Sequence, residues 1–325
     1  MKKKIVIIGG GSGLPVILRE LRHENVDITA VVTVADDGGS SGALRNYINV
    51  VPPGDIRNVM AVMSELDEDF LRVFQYRFKS DDDFFSGHSI GNLIIAAMQE
   101  MDLNIFEAVQ KLSKMMAVKG HVYPVANEPL ELHARFTDGT TMIGEAEITH
   151  AHKTIEKVWV MPQPDSKNKI AKAVPSVVTA IANADQVILG PGSLYTSILP
   201  NLTIQEVALA LRTTRADVVY ISNIMTQKGE TDNFSDADHA RVINEHVGAD
   251  VITHTIVNVA AVPEEYIDWQ RWSEVSKQVR HDSSEFDDLH ITEVEADLLE
   301  LRDNGAFHDG KRVVEELMKI LHAKN

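Results

Sequence analysis

The chain has 325 residues, of which 31 are basic and 48 acidic, giving a formal charge of −17. That balance argues against nonspecific binding to nucleic acid or to an anionic membrane surface, so any phosphate site must be local and built from backbone N–H groups and a few cations. No cysteine is present, which excludes disulfides, zinc–thiolate sites and thiol catalysis and is compatible with a cytoplasmic location.

The opening "MKKK" precedes an apolar run that ends at Gly9, far short of a signal-peptide core, so "KIVIIGG" reads as a buried first strand. "GGGSGLP" then breaks the strand and restarts the chain as a helix, with Pro15 suited to the first turn. "ITAVVTVADDGG" is the second strand, and "PPGDIRNVM" starts a helix. In "SIGNLIIAAMQEM" the apolar positions Ile90, Leu93, Ile94, Ala97, Met98 and Met101 follow helical spacing. The methionines of "KLSKMMAV" read as core.

From about His121 to Met161 the pattern alternates around a "TDGT" turn, predicting antiparallel hairpins inserted into a parallel core. Read as a strand, "ITHAHKTI" puts His150 and His152 on one face, a spacing metal ligands use, although solvated histidines are the plainer reading. Helices follow at Pro175 to Ala182, Ile204 to Arg212 and Asp236 to His246, between the unalternating strands "DQVILGPGS", "DVVYISNIMT" and "DVITHTIVN". Residues 264–325 form a more polar extension, read as a lid or partner surface ending in an amphipathic helix. In it Trp269 and Trp272 pack either on a ligand or on a neighbouring subunit of a homo-oligomer. No segment approaches the roughly 20 apolar residues that span a bilayer. The expected fold is one large α/β domain, 1–325, Rossmann-like and doubly wound, with a mostly parallel sheet and an antiparallel hairpin insertion at 121–161.

The chemistry concentrates in glycine loops after strands. Gly10, Gly11, Ser12 and Gly13 place backbone N–H groups and a helix N-terminus where an anionic phosphate is stabilised. The dinucleotide pattern G-x-G-x-x-G is met by Gly9 and Gly11 but has Leu14 in place of the third glycine, which disfavours NAD. Asp36 and Asp37 follow the second strand. A carboxylate ~4 Å from a phosphate costs about 4 kcal/mol at an effective dielectric of 20, so the pair cannot face phosphates unaided. One grips sugar hydroxyls, or both hold Mg²⁺, or both merely form an Asx turn. If there is turnover, they are the catalytic candidates.

Further candidates for ligand binding are Arg57 and Asn58; Gly87, His88, Ser89 and Asn92; Gly192 and Ser193, with Tyr195 beside them; and Asn223, Thr226, Lys228 and Glu230. In a parallel sheet these strand ends share one edge, where ligands bind at the switch point.

The ordered set "GGGSGLP", "ADDGGSSGALR", "PPGDIRN", "SGHSIGNL", "LGPGSLYTSILPNL" and "NIMTQKGET" resembles the CofD/YvcK-like family of 2-phospho-L-lactate transferases and bacterial gluconeogenesis factors. The last sixty residues match chiefly at "EADLLE" and "HDGKRV", and "TQKGETDNFS" and "GHSIGNLIIAA" place the chain nearer the gluconeogenesis factors. The resemblance implies a Rossmann-like fold holding a nucleotide. It also implies a cytoplasmic regulatory factor that binds UDP-sugars and is required for cell shape and growth on gluconeogenic carbon sources. The transferase branch implies the alternative, Mg²⁺-dependent transfer of a phospholactyl group from a guanosine diphosphate donor to a deazaflavin alcohol. The expected partner is a small nucleotide ligand, with no nucleic acid and no membrane insertion.

Overall fold

Strand β1 (Lys3–Gly9) is fully buried from Ile5 onward, because helices cover both faces of the sheet it belongs to and leave no polar side to alternate toward. The computed structural model describes residues 2–38, 40, 42, 44, 50–79, 87–101 and 104–323; parts of the loop after Asp37 and of the segment before Gly87 thus lie outside the described residues. β1 pairs in parallel with β2 (Val26–Val32) on one side and with β7 (Gln186–Leu189) on the other. β3 (His121–Pro124), β8 (Asp217–Ile221), β10 (His254–Asn258) and β12 (Thr292–Ala296) complete a seven-stranded sheet in the order β12-β10-β8-β7-β1-β2-β3, parallel throughout.

That order fixes where a ligand can enter. Strands β2 and β3 extend the sheet to one side of β1, and β7, β8, β10 and β12 extend it to the other. The chain reverses between β1 and β7, so the crevice lies beyond the carboxyl ends of those two strands.

Helix α1 (Gly13–Leu21) follows β1 and buries Leu14, Ile17, Leu18 and Leu21. Among the described residues the helices α2 (Gly54–Met63), α3 (Glu68–Gln75), α4 (Ile90–Glu100) and α5 (Ile105–Met115) precede β3. Among the described residues no helix is long and apolar enough to cross a membrane.

The hairpin insertion is real but narrower than 121–161. His121–Pro124 pairs in parallel with β2, and the antiparallel sheet comprises β4 (Leu130–Phe136), β5 (Thr141–Ile143) and β6 (Ile155–Pro162), in the order β5-β4-β6. Between β5 and β6 the chain is not a strand but helix α6 (Glu145–His150). The Asp37 carboxylate accepts hydrogen bonds from the Glu145 and Ala146 amides at 3.1 and 2.9 Å, and so caps this helix from a distant loop. His150 therefore ends a helix and His152 sits at φ +48 in the turn beyond it, so no strand face carries the pair.

After β7 the chain makes a π turn (Leu194–Ile198) and the helices α8 (Leu199–Leu202) and α9 (Gln205–Thr213); α7 (Pro175–Ala182) precedes β7 and α10 (Asp236–Val247) follows β9 (Met225–Gln227). The polar segment from 264 is woven into this framework rather than lying over it. β11 (Val275–Gln278) pairs with β9, β12 forms the edge of the main sheet, and β13 (Leu299–Arg302) and β14 (Gly305–His308) make a hairpin. The closing helix α11 (Gly310–Ala323) packs against α1 with Val313, Val314, Leu317, Ile320 and Leu321 buried.

Leu317 is fully buried in the same core as β1 and α1, and its carbonyl accepts from Gln186 Nε2 at 3.1 Å. Leu317→Ala keeps that hydrogen bond and opens a cavity, and is expected to cost about 2–5 kcal/mol in urea unfolding with an unchanged denaturant slope.

Candidate functional site

The turn after β1 and the turn after β7 are pressed together. A Cβ on Gly13 would lie 2.9 Å from the carbonyl oxygen of Pro191, and one on Gly192 would lie 3.2 Å from that of Gly10. Only glycine allows this approach. Gly11 has φ +66, and its amide donates to Asp55 Oδ2 at 2.7 Å. Leu14 is fully buried beneath the turn, filling the space that a third fingerprint glycine would leave.

The β7 turn is tied to its neighbours by side chains. Asn223 Nδ2 donates to the Gly192 carbonyl at 2.9 Å, and Ser193 Oγ donates to Glu230 Oε2 at 2.8 Å. Thr149 of the insertion donates to the other Glu230 oxygen at 3.2 Å. Burial pushes the Glu230 pKa up while the two hydroxyls hold it down. Ser193 also accepts from the Thr196 amide, so its oxygen serves as a cap.

Beyond these turns lies a cleft of about 390 Å³. One wall is Ser12, Gly13, Gly192, Ser193 and Asn223; the other is Trp272, Arg302, Phe307 and His308 from the carboxy-terminal segment. Trp272 and Phe307 meet edge to face with centroids 5.1 Å apart, and the Arg302 guanidinium lies 4.4 Å from the Phe307 centroid. Burial holds the His308 pKa down to about 4, so its neutral ring donates from Nε2 to the Ser222 carbonyl at 3.0 Å. Another concavity of about 260 Å³, lined by Lys4, Asp27, His121, Tyr123 and Asn183, lies at the opposite end of the strands, away from the turns after β1 and β7.

On the far side of Gly11 is an acidic pole. Asp36 Oδ1 accepts from Gly38 N at 2.9 Å, an Asx turn, while both Asp37 oxygens serve α6. Asp55, half-buried at the start of α2, is raised to about 6 by desolvation first and by Asp36 second. Glu145 is raised well above the carboxylate range by burial, by the charge and hydrogen bond of Asp36, and by Asp55 and Asp37. These acids thus concentrate negative charge at one pole.

Beside this pole Arg57, only 3% exposed, donates to Ser89 Oγ at 2.5 Å, to Asn92 Oδ1 at 3.1 Å and to Asn58 Oδ1 at 2.5 Å. Ser40 Oγ joins His88 Nδ1 at 2.8 Å and Asn92 Nδ2 at 3.0 Å. Gly87, at φ +72, turns its carbonyl toward Arg77 Nη1 at 2.8 Å. Burial, then the charge of Arg77, lowers the Arg57 pKa to about 10, and among the described residues no carboxylate forms an ion pair with it.

The expected residues thus divide into groups. Ser12, Gly13, Gly192, Ser193 and Asn223 line the cleft, Gly10 and Gly11 shape its floor, and Glu230 holds Ser193. Arg57, Asn58, His88, Ser89 and Asn92 form the adjoining network. Asp36 and Asp37 stand in the acidic pole, and three residues join none of these groups. The Thr226 hydroxyl bonds the Lys277 backbone between β9 and β11, and Lys228 is exposed, with its amide bonded to the Glu274 carbonyl. Tyr195 is buried core rather than cleft wall. Asp55, Glu145, Arg302 and Phe307 were not singled out by sequence. Only Asp55 carried a signal, its place in "PPGDIRN", and an acid in a first helical turn has a commonplace reading.

The sequence model described as "2-phospho-L-lactate transferase CofD" matches residues 5–299. A Lactococcus lactis protein named "Putative gluconeogenesis factor" is 46% identical over 317 residues, covering 98% of this chain and 96% of its own length. The "Gluconeogenesis factor" of Listeria innocua is 43% identical over 324 residues, covering 100% and 97%. A crystal structure of a Bacillus halodurans protein superposes with a TM-score of 0.92 at 36% identity, covering 98% of this chain and 100% of that one.

The raised pKa of Asp55 has a definite sign. The folded chain takes up its proton near pH 6, whereas the unfolded chain does so near 3.8, so ionised Asp55 costs stability above pH 6 and the cost fades as pH falls through 6 toward 4. Asp55→Asn, which keeps an oxygen for the Gly11 amide, is expected to stabilise the protein at pH 8 by on the order of 2–3 kcal/mol. In urea unfolding with EDTA the difference should vanish near pH 4.

Proposed function

Because the chain belongs to the CofD family, we propose that it is a nucleotide-sugar-binding regulatory factor of the gluconeogenesis-factor kind, acting by binding rather than by turnover. The observation that carries this reading is the meeting of the two glycine turns at the switch point, opposite an aromatic and cationic wall. The turns offer amides to a diphosphate without needing lysines, in keeping with a chain of charge −17. Trp272 and Phe307 supply apolar surface for a base, and Arg302 supplies a guanidinium for a phosphate or a base edge. The volume of about 390 Å³ falls within the range of small-molecule sites. UDP-sugars fit this chemistry, and the site's physiological role is support of cell shape and of growth on gluconeogenic carbon sources.

Binding without turnover is favoured by the state of the one hydroxyl on the cleft wall with a carboxylate partner. The Ser193 oxygen accepts an amide and gives its proton to Glu230, which Thr149 already occupies, so it is arranged as a fixed contact rather than as a nucleophile. A second reading, Mg²⁺-dependent group transfer, is favoured by the acidic pole. Asp36, Asp55 and Glu145 crowd so closely that Glu145 is kept protonated, and a cation there would replace that proton. The ion would neutralise charge on a diphosphate, while this chain's own residues would orient it from the Gly11 turn.

Calorimetric titration with UDP-N-acetylglucosamine is expected to give micromolar or tighter binding to the wild type. Binding should weaken about tenfold or more in Trp272→Ala and Arg302→Ala, and be lost in Gly11→Val. Absence of heat with the wild type up to about 1 mM ligand overturns the reading. Mg²⁺-dependent release of a nucleoside monophosphate, abolished in Asp36→Asn, would favour transfer over sensing.

A further inference from the structure

Away from the cleft, His281, Glu293 and Glu295 bring ligand atoms within 4.8 Å of one another. Glu293 and Glu295 stand on the same face of β12, two residues apart, and His281 comes from the loop after β11. His281 Nδ1 lies 3.2 Å from Oδ2 of Asp236, whose side chain is only 4% exposed, and Asp236 Oδ1 accepts from the Ser222 hydroxyl. With Nδ1 held there, Nε2 points between the two glutamates, 3.6 Å from Glu293 Oε1 and 3.4 Å from Glu295 Oε1.

Two observations fit an ion held between these three side chains. The first is distance. A charge-assisted N–H···O bond is about 2.7–2.9 Å long, whereas two ligands each about 2.1 Å from one ion at a tetrahedral angle lie about 3.4 Å apart. The separations of 3.4 and 3.6 Å match the second case. The second is an unmet acceptor: Glu293 Oε2 is buried and has no hydrogen-bond partner.

Charge points the same way. Three carboxylates, of Asp236, Glu293 and Glu295, face one imidazole. The nearby cation Arg280 turns to Asp282 and Glu285 at 3.6 and 2.5 Å, and among the described residues no lysine or arginine pairs with either β12 glutamate. Ser283 adds only a neutral hydroxyl, 2.9 Å from Glu293 Oε1 and 3.2 Å from Glu295 Oε1. A divalent cation among these side chains would offset that excess of negative charge.

We propose that His281, Glu293 and Glu295 bind one divalent first-row transition ion, with Asp236 as the positioning residue that fixes the imidazole. One imidazole nitrogen and two carboxylates suit manganese, iron or zinc better than magnesium or calcium. A buried carboxylate behind a ligating imidazole is the usual support for such a site. The ion ties the loop after β11 to β12, the strand that runs on into the hairpin carrying Arg302 and Phe307.

Mn²⁺ titration of the EDTA-stripped full chain, read by electron paramagnetic resonance, tests this. One ion per chain should bind, and pulsed spectra should show coupling to a directly bound nitrogen, which the all-carboxylate pole beside Gly11 cannot give. The nitrogen coupling should disappear in His281→Ala. Affinity should fall at least about tenfold in Glu293→Gln and about 10–100-fold in Asp236→Asn, and stay unchanged in Asp36→Asn. If circular dichroism shows His281→Ala to be unfolded, Glu295→Gln, at an exposed position, takes its place with the same expected loss of affinity. No nitrogen-coupled ion in the wild type at about 1 mM Mn²⁺, or binding unchanged in the variants, overturns the proposal.

Discussion

The contact between Gly13 and the Pro191 carbonyl, at the point where the sheet changes direction, is the constraint on which the site depends. It requires two neighbouring parallel strands, β1 and β7, to end at the same level and to turn through residues without side chains. Once the turns are that close, no bulky group can stand between them, and the chemistry left at the rim is that of amides and small hydroxyls. An acidic protein can bind an anion in this way, because fixed N–H dipoles add no net charge and keep their direction without a counter-ion.

The same turn separates two electrostatic environments. Toward the carboxy-terminal hairpin the surface is aromatic, with Arg302 as its cation. Toward the insertion, burial and clustered acids raise Asp55 to about 6 and keep the proton on Glu145. Gly11 stands between them, bonded to Asp55 by its amide, so the acidic pole also fixes the shape of the glycine turn. Arg57 sits behind the acids and lowers the cost of Asp55's charge without forming a direct pair, its Nη donors being taken by Ser89, Asn92 and Asn58 while its buried Nε has no partner. A change at Asp55 therefore reaches the turn through one hydrogen bond, and changes at Asp36, Glu145 or Arg57 reach Asp55 through their charge.

What sequence could disclose follows from how local each cause is. β1, β2, β7, β8 and β10 were legible because burial on both faces writes an uninterrupted apolar run, and α1 because Pro15 and the glycines mark its start. Helix α6 was not legible, since its cap, Asp37, lies 108 residues earlier than the Glu145 amide it accepts. β3 was misassigned because four residues of "HVYP" alternate in burial on a sheet edge just as they would in a hairpin. Thr226 and Lys228 lie in a motif that otherwise contributes Glu230, but pairing with β11 commits the threonine hydroxyl to backbone and leaves the lysine outside. Glu145, Trp272, Arg302 and Phe307 reach the site only through tertiary folding of the insertion and the carboxy-terminal segment, and no spacing rule anticipates that.

The extent of the family match gives this division a further meaning. It runs over residues 5–299 and so includes both glycine turns, the acidic pole and the Arg57 network, but it stops before Arg302, Phe307 and His308. The relatives named as gluconeogenesis factors, in contrast, align over 98% of the chain or more. The two glycine turns and Trp272 thus lie inside the family match, and Arg302, Phe307 and His308 come from a segment beyond it that the gluconeogenesis-factor alignments span. A cradle of amides recognises a diphosphate whatever base or sugar it carries, because its donors reach only phosphate oxygens. Discrimination must come from the opposite wall, whose side chains differ in shape and charge. On the proposed reading, selectivity between nucleotides would rest on the β13–β14 hairpin and on whatever holds β12 beneath it, more than on the glycine motifs by which the family is recognised.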